Sequence, residues 1–343
     1  MKNVKLVTAA ALRPKSRKSD LKSSLVSIAL SMLALTAISP VHAQDATATY
    51  PNRTVKVVLP FPPGGVADVA GRLIAQKLSE NLGHSFVIEN RGGAAGNIGA
   101  ALVQDSTPDG YTIMFTSSSF LINPGLQKVP YKPVEGFAPI SVLSSSPSIL
   151  AIHPKQTATT MKEMTDWVKK EPGKHSYASA GVGSTPHLQG EMLKQAFGLD
   201  MVHVPFPGGA PALQSAVGGH TPVVIAALAP AIPLVKGGEL RALAIIGPKR
   251  VSALPDVPTM TEAGLPGQET ETILLALAPA RTPKEIVDKL SREINKVVAM
   301  PEVVQKLDSL GFSPMGTTPE QTAERIKSEL DLWAKVIKDA NIQ

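Results

Sequence analysis

Four times in this chain a short apolar, β-branched run stops at a glycine-rich corner and a helical pattern follows at once. The four are VKVVLPFPPGG (55–65), FVIENRGGAAG (86–96), YASAGVGSTP (177–186) and VHVPFPGGAP (202–211). After the first corner, Val66, Val69, Ala70, Leu73, Ile74, Leu78 and Leu82 recur at helical spacing until Gly83 stops them. The pattern predicts strands at Val55–Leu59, Phe86–Ile88 and Tyr111–Phe115, and a helix near Asn97–Gln104. It restarts with strands at Ile149–Ile152, His175–Ser179, Met201–Pro205, Val223–Leu228 and Leu240–Ile246. Thr160 and Glu163 fit a capping box, and Thr185 with Pro186 fits an N-cap followed by a first-turn proline. Strand–helix–strand in repetition argues an α/β fold: two units in series, each a parallel sheet with helices on both faces. A lone late strand, Ile273–Ala278, and two helices, roughly Pro283–Met300 and Pro319–Ala340, fit neither unit.

The first 43 of the 343 residues read as an export segment. A basic stretch precedes a short apolar run, Leu25–Ala37, and Val41-His42-Ala43 is a small-residue cleavage site. Cleavage after Ala43 by the general secretory route is expected, with no Arg-Arg pair to suggest the twin-arginine route. The charge changes meaning with that segment removed. It holds seven of the 34 basic residues and one of the 28 acidic ones, so 27 of each remain and the formal +6 falls to zero. Nothing in the charge then points to nucleic acid or to a membrane surface. The absence of cysteine removes disulfides, thiolate metal sites, thiol nucleophiles and a lipoprotein anchor together.

The corners carry the chemistry. In open parallel sheets ligands sit at the carboxyl ends of strands, beside helix N-termini whose free N–H groups favour anions. Gly64 and Gly65 lack a Cβ and leave their amides approachable, while Pro62 and Pro63 stiffen the turn and donate nothing. That combination suits a carboxylate held by neutral backbone; a stiff turn with no ligand fits the same spacing. Ser184 and Thr185 add hydroxyls at a second helix start, and Thr116-Ser117-Ser118-Ser119 adds more at a strand end. For each hydroxyl, capping and ligand contact are both open. Asp68 in a first helical turn is favoured by the helix dipole alone. His187 has no Asp or His at metal spacing, which favours a structural or hydrogen-bonding role. No phosphate loop, dinucleotide fingerprint, G-x-S-x-G elbow or H-E-x-x-H is present, so neither a catalytic constellation nor a cofactor or metal site is expected.

The stretch YPNRTVKVVLPFPPGGVADVAGRLIAQKLSENLGHSFVIENRGGAAGNIGA (Tyr50–Ala100) resembles the N-terminal signature of the Bug receptors. These are periplasmic solute-binding proteins of tripartite tricarboxylate transporters. The resemblance continues in order through PDGYTIMF, YASAGVGSTPHLQGEML, VPFPGGAPALQSAVGGH, GGELRALA, LPDVPTMTEAG, APARTPKEIVDKL and GFSPMGTTPEQ. It implies a two-lobed, type 2 periplasmic-binding-protein fold closing like a flytrap, with lobe 1 at 50–146 plus 270–343 and lobe 2 at 147–269. The crossings would fall near Ser141–Leu150 and Glu271–Ala278, which gives the lone late strand a place. The implied partners are a small organic acid and inner-membrane permease subunits, and a monomer is expected. Carried over by position, Phe61, Pro63, Gly64, Gly65 and Asp68 form the lobe 1 loop, and Thr116, Ser117 and Ser118 flank it. Ser184, Thr185 and His187 lie on the lobe 2 loop, with Phe206, Gly208 and Gly209 on its next corner.

The chain departs from many relatives at TPVVIAAL (Thr221–Leu228) and ETETILLALAP (Glu269–Pro279), where acids or an aromatic are common. Both changes are expected to make the cleft margin apolar and to disfavour an amino-acid ligand. The expectation is an amine-free mono- or dicarboxylate, with an aromatic body allowed. Two other functions stay open at this point: a periplasmic sensor read by a membrane signalling partner, and a secreted hydrolase, for which no nucleophile–base pair is found.

Overall fold

A computed structural model describes residues 49–61, 63 and 66–342. The expected export segment, Gly64 and Gly65 lie outside the described residues. In chain order the strands are β1 (Val55–Leu59), β2 (Phe86–Asn90), β3 (Thr112–Ser117), β4 (Phe137–Ile152) and β5 (His175–Ser179). They continue with β6 (Met201–Pro205), β7 (Val223–Ala227), β8 (Arg241–Ile246), β9 (Glu271–Pro279) and β10 (Ser313–Pro314). The helices are α1 (Val66–Leu82), α2 (Asn97–Gln104), α3 (Ser119–Leu126), α4 (Met161–Lys170) and α5 (Thr185–Phe197). After them come α6 (Gly209–Val217), α7 (Leu228–Lys236), α8 (Lys284–Val298), α9 (Pro301–Ser309) and α10 (Pro319–Asp339).

Two lobes share one long strand. In the first, β2, β1 and β3 pair in parallel, β9 joins β3 antiparallel, and β9 pairs antiparallel with the Phe137–Pro147 part of β4. In the second, β7, β5 and β6 pair in parallel, and β7 and β8 flank Ser148–Ile152 of β4, both antiparallel. Each sheet is therefore mixed, not wholly parallel as the repeated strand–helix pattern suggests. β4 and β9 run against their neighbours, so the parallel β1–β3 and β5–β7 sets each meet an antiparallel strand. The sequence also hides most of β4. Its serines at 141, 144, 145, 146 and 148 are all buried, and SVLSSSPSIL does not read as a strand.

Both faces of each sheet are covered, and this explains the unbroken apolar runs. In β1, Val55, Val57 and Leu59 face α1 and α8, where Ile74, Leu78, Leu290 and Ile294 pack; Val58 faces the opposite cluster with Trp333 and Ile337 of α10. β9 alternates likewise, with Leu274, Ala276 and Ala278 on one face and Ile273, Leu275 and Leu277 on the other. In the second lobe, Leu150 and Ile152 meet α4 through Met161, Met164 and Val168, while Ile149 and Ala151 meet α6 through Ala212 and Ala216.

Helix α5 belongs to both lobes. Leu193 packs in the core of the second sheet, whereas Leu188 and Met192 pack in the cluster of the first lobe that holds Trp333. Gln189 on the same helix donates from Nε2 to the Thr270 carbonyl (3.1 Å) and hydroxyl (3.0 Å), just ahead of β9. The start of α5 is thereby fixed against the first lobe as well as its own. Its N-cap is Ser184, with Thr185 and Pro186 in the first turn, one residue earlier than the spacing suggests. The Thr160 cap of α4 forms, but Glu163 turns its carboxylate to Thr159 instead of completing the box.

Candidate functional site

Four strands end at one cavity. It has a volume of about 330 Å³ and is lined by Pro60, Phe61, Gly93, Ala95, Gly96, Ser119, Val182, Gly183 and Ser184. Pro60 and Phe61 follow β1, Gly93–Gly96 follow β2, Ser119 follows β3, and Val182–Ser184 follow β5. These are the carboxyl ends of parallel strands, contributed by both lobes, where open α/β sheets hold their ligands. Among the described residues, the lining carries no charged side chain, and its polar side chains are two serines. A larger groove of about 780 Å³ lies at the opposite ends of β1 and β3, but both of its cations are already paired. Arg53 bonds Asp109 at 2.9 Å and lies over the Tyr111 ring, and Lys56 bonds Glu89 at 2.9 Å.

On the first lobe the wall is set by backbone conformation. Gly93, Ala94, Ala95 and Gly96 all have positive φ (119°, 46°, 55° and 94°). For the two alanines this is a costly region, of order 1–2 kcal/mol each, and such outliers cluster at functional sites. Asn123 of α3 helps to hold the loop, donating from Nδ2 to the Ala95 carbonyl (2.9 Å) and Asn97 Oδ1 (3.0 Å). Gly99 lets it lie close to β1, because a Cβ there would meet the Arg91 carbonyl at 2.8 Å and Pro60 Cβ at 2.9 Å. Ser119 shares a 3.0 Å hydrogen bond with Ser117; with Ser117 as the donor, Ser119 keeps its own proton for a ligand.

On the second lobe a polar cluster supports the turn Gly181–Ser184. Ser184 donates its hydroxyl proton to the Gly181 carbonyl (2.6 Å) and accepts from the His187 amide (3.4 Å). The Gly183 amide donates to His187 Nδ1 at 3.3 Å. The Gly181 amide donates to Ser179 Oγ at 3.2 Å, and that hydroxyl bonds His203 Nε2 at 2.7 Å. Tyr177 stacks on His203 and donates to Glu191 at 2.7 Å. Burial depresses both histidines, His203 further, to about 4, with neighbouring His187 adding to its shift; Glu191 opposes the shift in each.

The expected site residues divide by location. Phe61 and Ser184 line the cavity, and Ser117 is one hydrogen bond behind it. Thr185 and His187 are buried in the first turn of α5, behind the lining. Thr116 is buried in β3. Ser118 is wholly buried and accepts from the Ile273 amide at 2.9 Å, tying α3 to β9. Asp68 is buried on α1, where it accepts from Arg72 Nε and Asn90 Nδ2. Pro63 is exposed. Phe206, Gly208 and Gly209 join β6 to α6 and do not line the cavity; Phe206 packs on the core of the second sheet. Gly93, Ala95, Gly96 and Val182 also line the cavity and are not among the expected site residues, whereas Ser119 is one of the four hydroxyls expected at the end of β3. The glycine-rich signal at 93–96 is legible in the sequence as one of the four corners, without the spacing of a dinucleotide fingerprint.

The apolar stretches expected at the cleft margin lie elsewhere. Val223–Ala226 are buried in the middle of the second sheet and Ile273–Ala278 in the first. A strand covered on both faces needs this composition whatever the ligand.

The family model described as "Tripartite tricarboxylate transporter family receptor" matches residues 70–342. The chain belongs to this receptor family. It is 36% identical, over 91% of its length and 92% of the relative's, to the UPF0065 protein in the tcbD-tcbE intergenic region of Pseudomonas sp. strain P51. Among solved structures the receptor resembles the periplasmic binding protein BugD, with a TM-score of 0.75 and 34% identity over 86% of this chain and 99% of that one. It also resembles R. palustris Rpa4515 with adipate, with a TM-score of 0.77 and 34% identity over 85% and 98%. The receptor is thus a Bug-type, two-lobed periplasmic binding protein, and its family and structural neighbours bind solutes and are not enzymes. Among the described residues no helix is long and apolar enough to cross a membrane.

Proposed function

We propose that this receptor captures a small organic carboxylate between its lobes and presents it to inner-membrane permease subunits of a tripartite tricarboxylate-type transporter. The observation that carries this reading is the cavity fed by β1, β2, β3 and β5, beside the starts of α3 and α5. Helix N-termini and hydroxyls in an uncharged lining suit a carboxylate, because they supply N–H and O–H donors without a fixed counter-charge. The adipate held by a neighbour of similar fold supports the same ligand class. The proposed binding residues also include Gly64 and Gly65 of the expected lobe 1 loop. Closure then follows as a population shift: a ligand touching both lobes binds the closed form better and draws the equilibrium toward it.

The remaining assignments belong to this reading. Residues 1–43 act as a secretory signal cleaved after Ala43, placing a monomeric receptor in the periplasm. Lobe 1 is 50–146 plus 270–343 and lobe 2 is 147–269; the change of β4 partners between Pro147 and Ser148 supports the first crossing.

Thermal unfolding against a panel of organic acids, each beside its neutral amide, tests the ligand class. An acid present at about one hundred times its dissociation constant adds about 2.7 kcal/mol, while its amide adds nothing. A panel in which amides stabilise as well as acids contradicts the reading. For the transport role, uptake by vesicles carrying the permease subunits should require the loaded receptor.

A further inference from the structure

Helix α3 serves the cavity at two positions one turn apart. Ser119 lines it, and Asn123, four residues on, lies on the same face of the helix and is 2% exposed. Asn123 turns both protons of Nδ2 to the wall from the first lobe, one to the Ala95 carbonyl (2.9 Å) and the other to Asn97 Oδ1 (3.0 Å). Its Oδ1 faces the wall from the second lobe, where a Cβ built on Gly183 would stand 3.3 Å away. One buried side chain therefore stands between the two walls.

The bond to Ala95 matters because the loop does little to hold itself. Ala94 and Ala95 both have positive φ, which an L-residue keeps only where its surroundings impose it. The loop's own bonds are those of a single tight turn, from the Gly96 amide to the Gly93 carbonyl and from the Asn97 amide to the Ala94 carbonyl. Among the described residues no side chain other than Asn123 bonds the backbone of residues 92–96. Gly93, Ala95 and Gly96 all line the cavity, so a loop relaxed to negative φ would remove this wall. A receptor whose loop is in place for only part of the time binds with an affinity reduced by that fraction.

We infer that Asn123 is a positioning residue for the ligand: it keeps the Gly93–Gly96 loop in the strained conformation that forms one wall of the cavity. The inference rests on the reading that this cavity takes the carboxylate, and it adds a residue that acts through the loop from behind the lining.

A rescue experiment tests it, by calorimetric titration of the organic-acid panel with succinate, adipate, hexanoate and benzoate in it. Asn123→Ala should weaken the tightest acid about tenfold, as the loop leaves its place. Ala95→Gly removes the Cβ that makes the loop costly, so Asn123→Ala combined with it should bind within about threefold of the parent. Ala95→Gly alone should bind as the parent does. Asn123→Leu, similar in shape and without the donor, should lose affinity as the alanine variant does, and it carries the test if that variant fails to fold. A residue that only supports α3 would lower the melting temperature equally in both backgrounds and show no rescue of affinity. Parent-like binding by Asn123→Ala, or a loss that Ala95→Gly leaves undiminished, overturns the inference and leaves the carboxylate reading standing. A parent receptor that binds no acid in the panel overturns the carboxylate reading and this inference with it.

Discussion

His187 and His203 lie stacked, ring centroids 4.1 Å apart and planes inclined by 21°, and each holds one part of the turn that brings Ser184 to the cavity. His187 does so as an acceptor from the Gly183 amide, which requires a neutral ring with Nδ1 unprotonated. Both histidines titrate below the usual range, mainly because burial disfavours the charged ring. Between pH 6.5 and about 4 the unfolded chain therefore binds more protons than the folded one, so stability falls as the pH falls through that window. Glu271 on β9 works the other way, since burial raises its pKa and favours the folded state as it takes up a proton. We expect melting temperatures to be level above pH 6.5, to drop toward pH 4, and to drop less in His203→Asn. An equal drop in that variant would show that His203 has no part in the transition.

Gly190 permits Tyr177 to reach Glu191. A Cβ at residue 190 would stand 2.3 Å from Tyr177 Cε2 and 2.8 Å from its hydroxyl. Gly190→Ala should therefore cost about 1–3 kcal/mol, the usual range for overpacking, read as a lower midpoint of urea unfolding.

Ser118 separates structural from ligand-binding hydroxyls. Its removal leaves the buried Ile273 amide without its acceptor, a loss of about 1–3 kcal/mol. Ser118→Ala is expected to lower stability by that amount and to leave ligand affinity within about threefold by calorimetry. Ser119→Ala should do the reverse, weakening binding with little change in melting temperature.

Ala95 is held at φ 55°, where glycine has no Cβ penalty. Ala95→Gly should stabilise the unliganded receptor by up to about 1 kcal/mol, measured as a higher melting temperature.

Much of the fold was legible because apolar runs and turn chemistry agreed. The bounds of β1, β5, β6 and α2 follow directly from β-branched runs and from helical spacing beside glycine. Sheet direction was not legible, since periodicity carries no information about which way a neighbouring strand runs. Read residue by residue, the serines of β4 do not signal a strand, because the burial of Ser144, Ser145 and Ser146 depends on pairing with β9, about 130 residues away, along Ser144–Pro147 and Leu274–Glu271; the family resemblance alone places a crossing there. At the site, the corner holding Phe61 and the turn holding Ser184 stood out through proline and glycine. Val182 did not, for an exposed valine in a loop becomes informative only once the opposing wall is known.

Native mass spectrometry of the receptor, expressed with its full leader and released from the periplasm, tests the central claim most directly. The account predicts a one-to-one complex with a small organic acid that is lost on denaturation and restored by adding that acid back, but not by its amide. A receptor that carries no acid and takes up none from the panel, or that converts a bound acid into a different product, would contradict it.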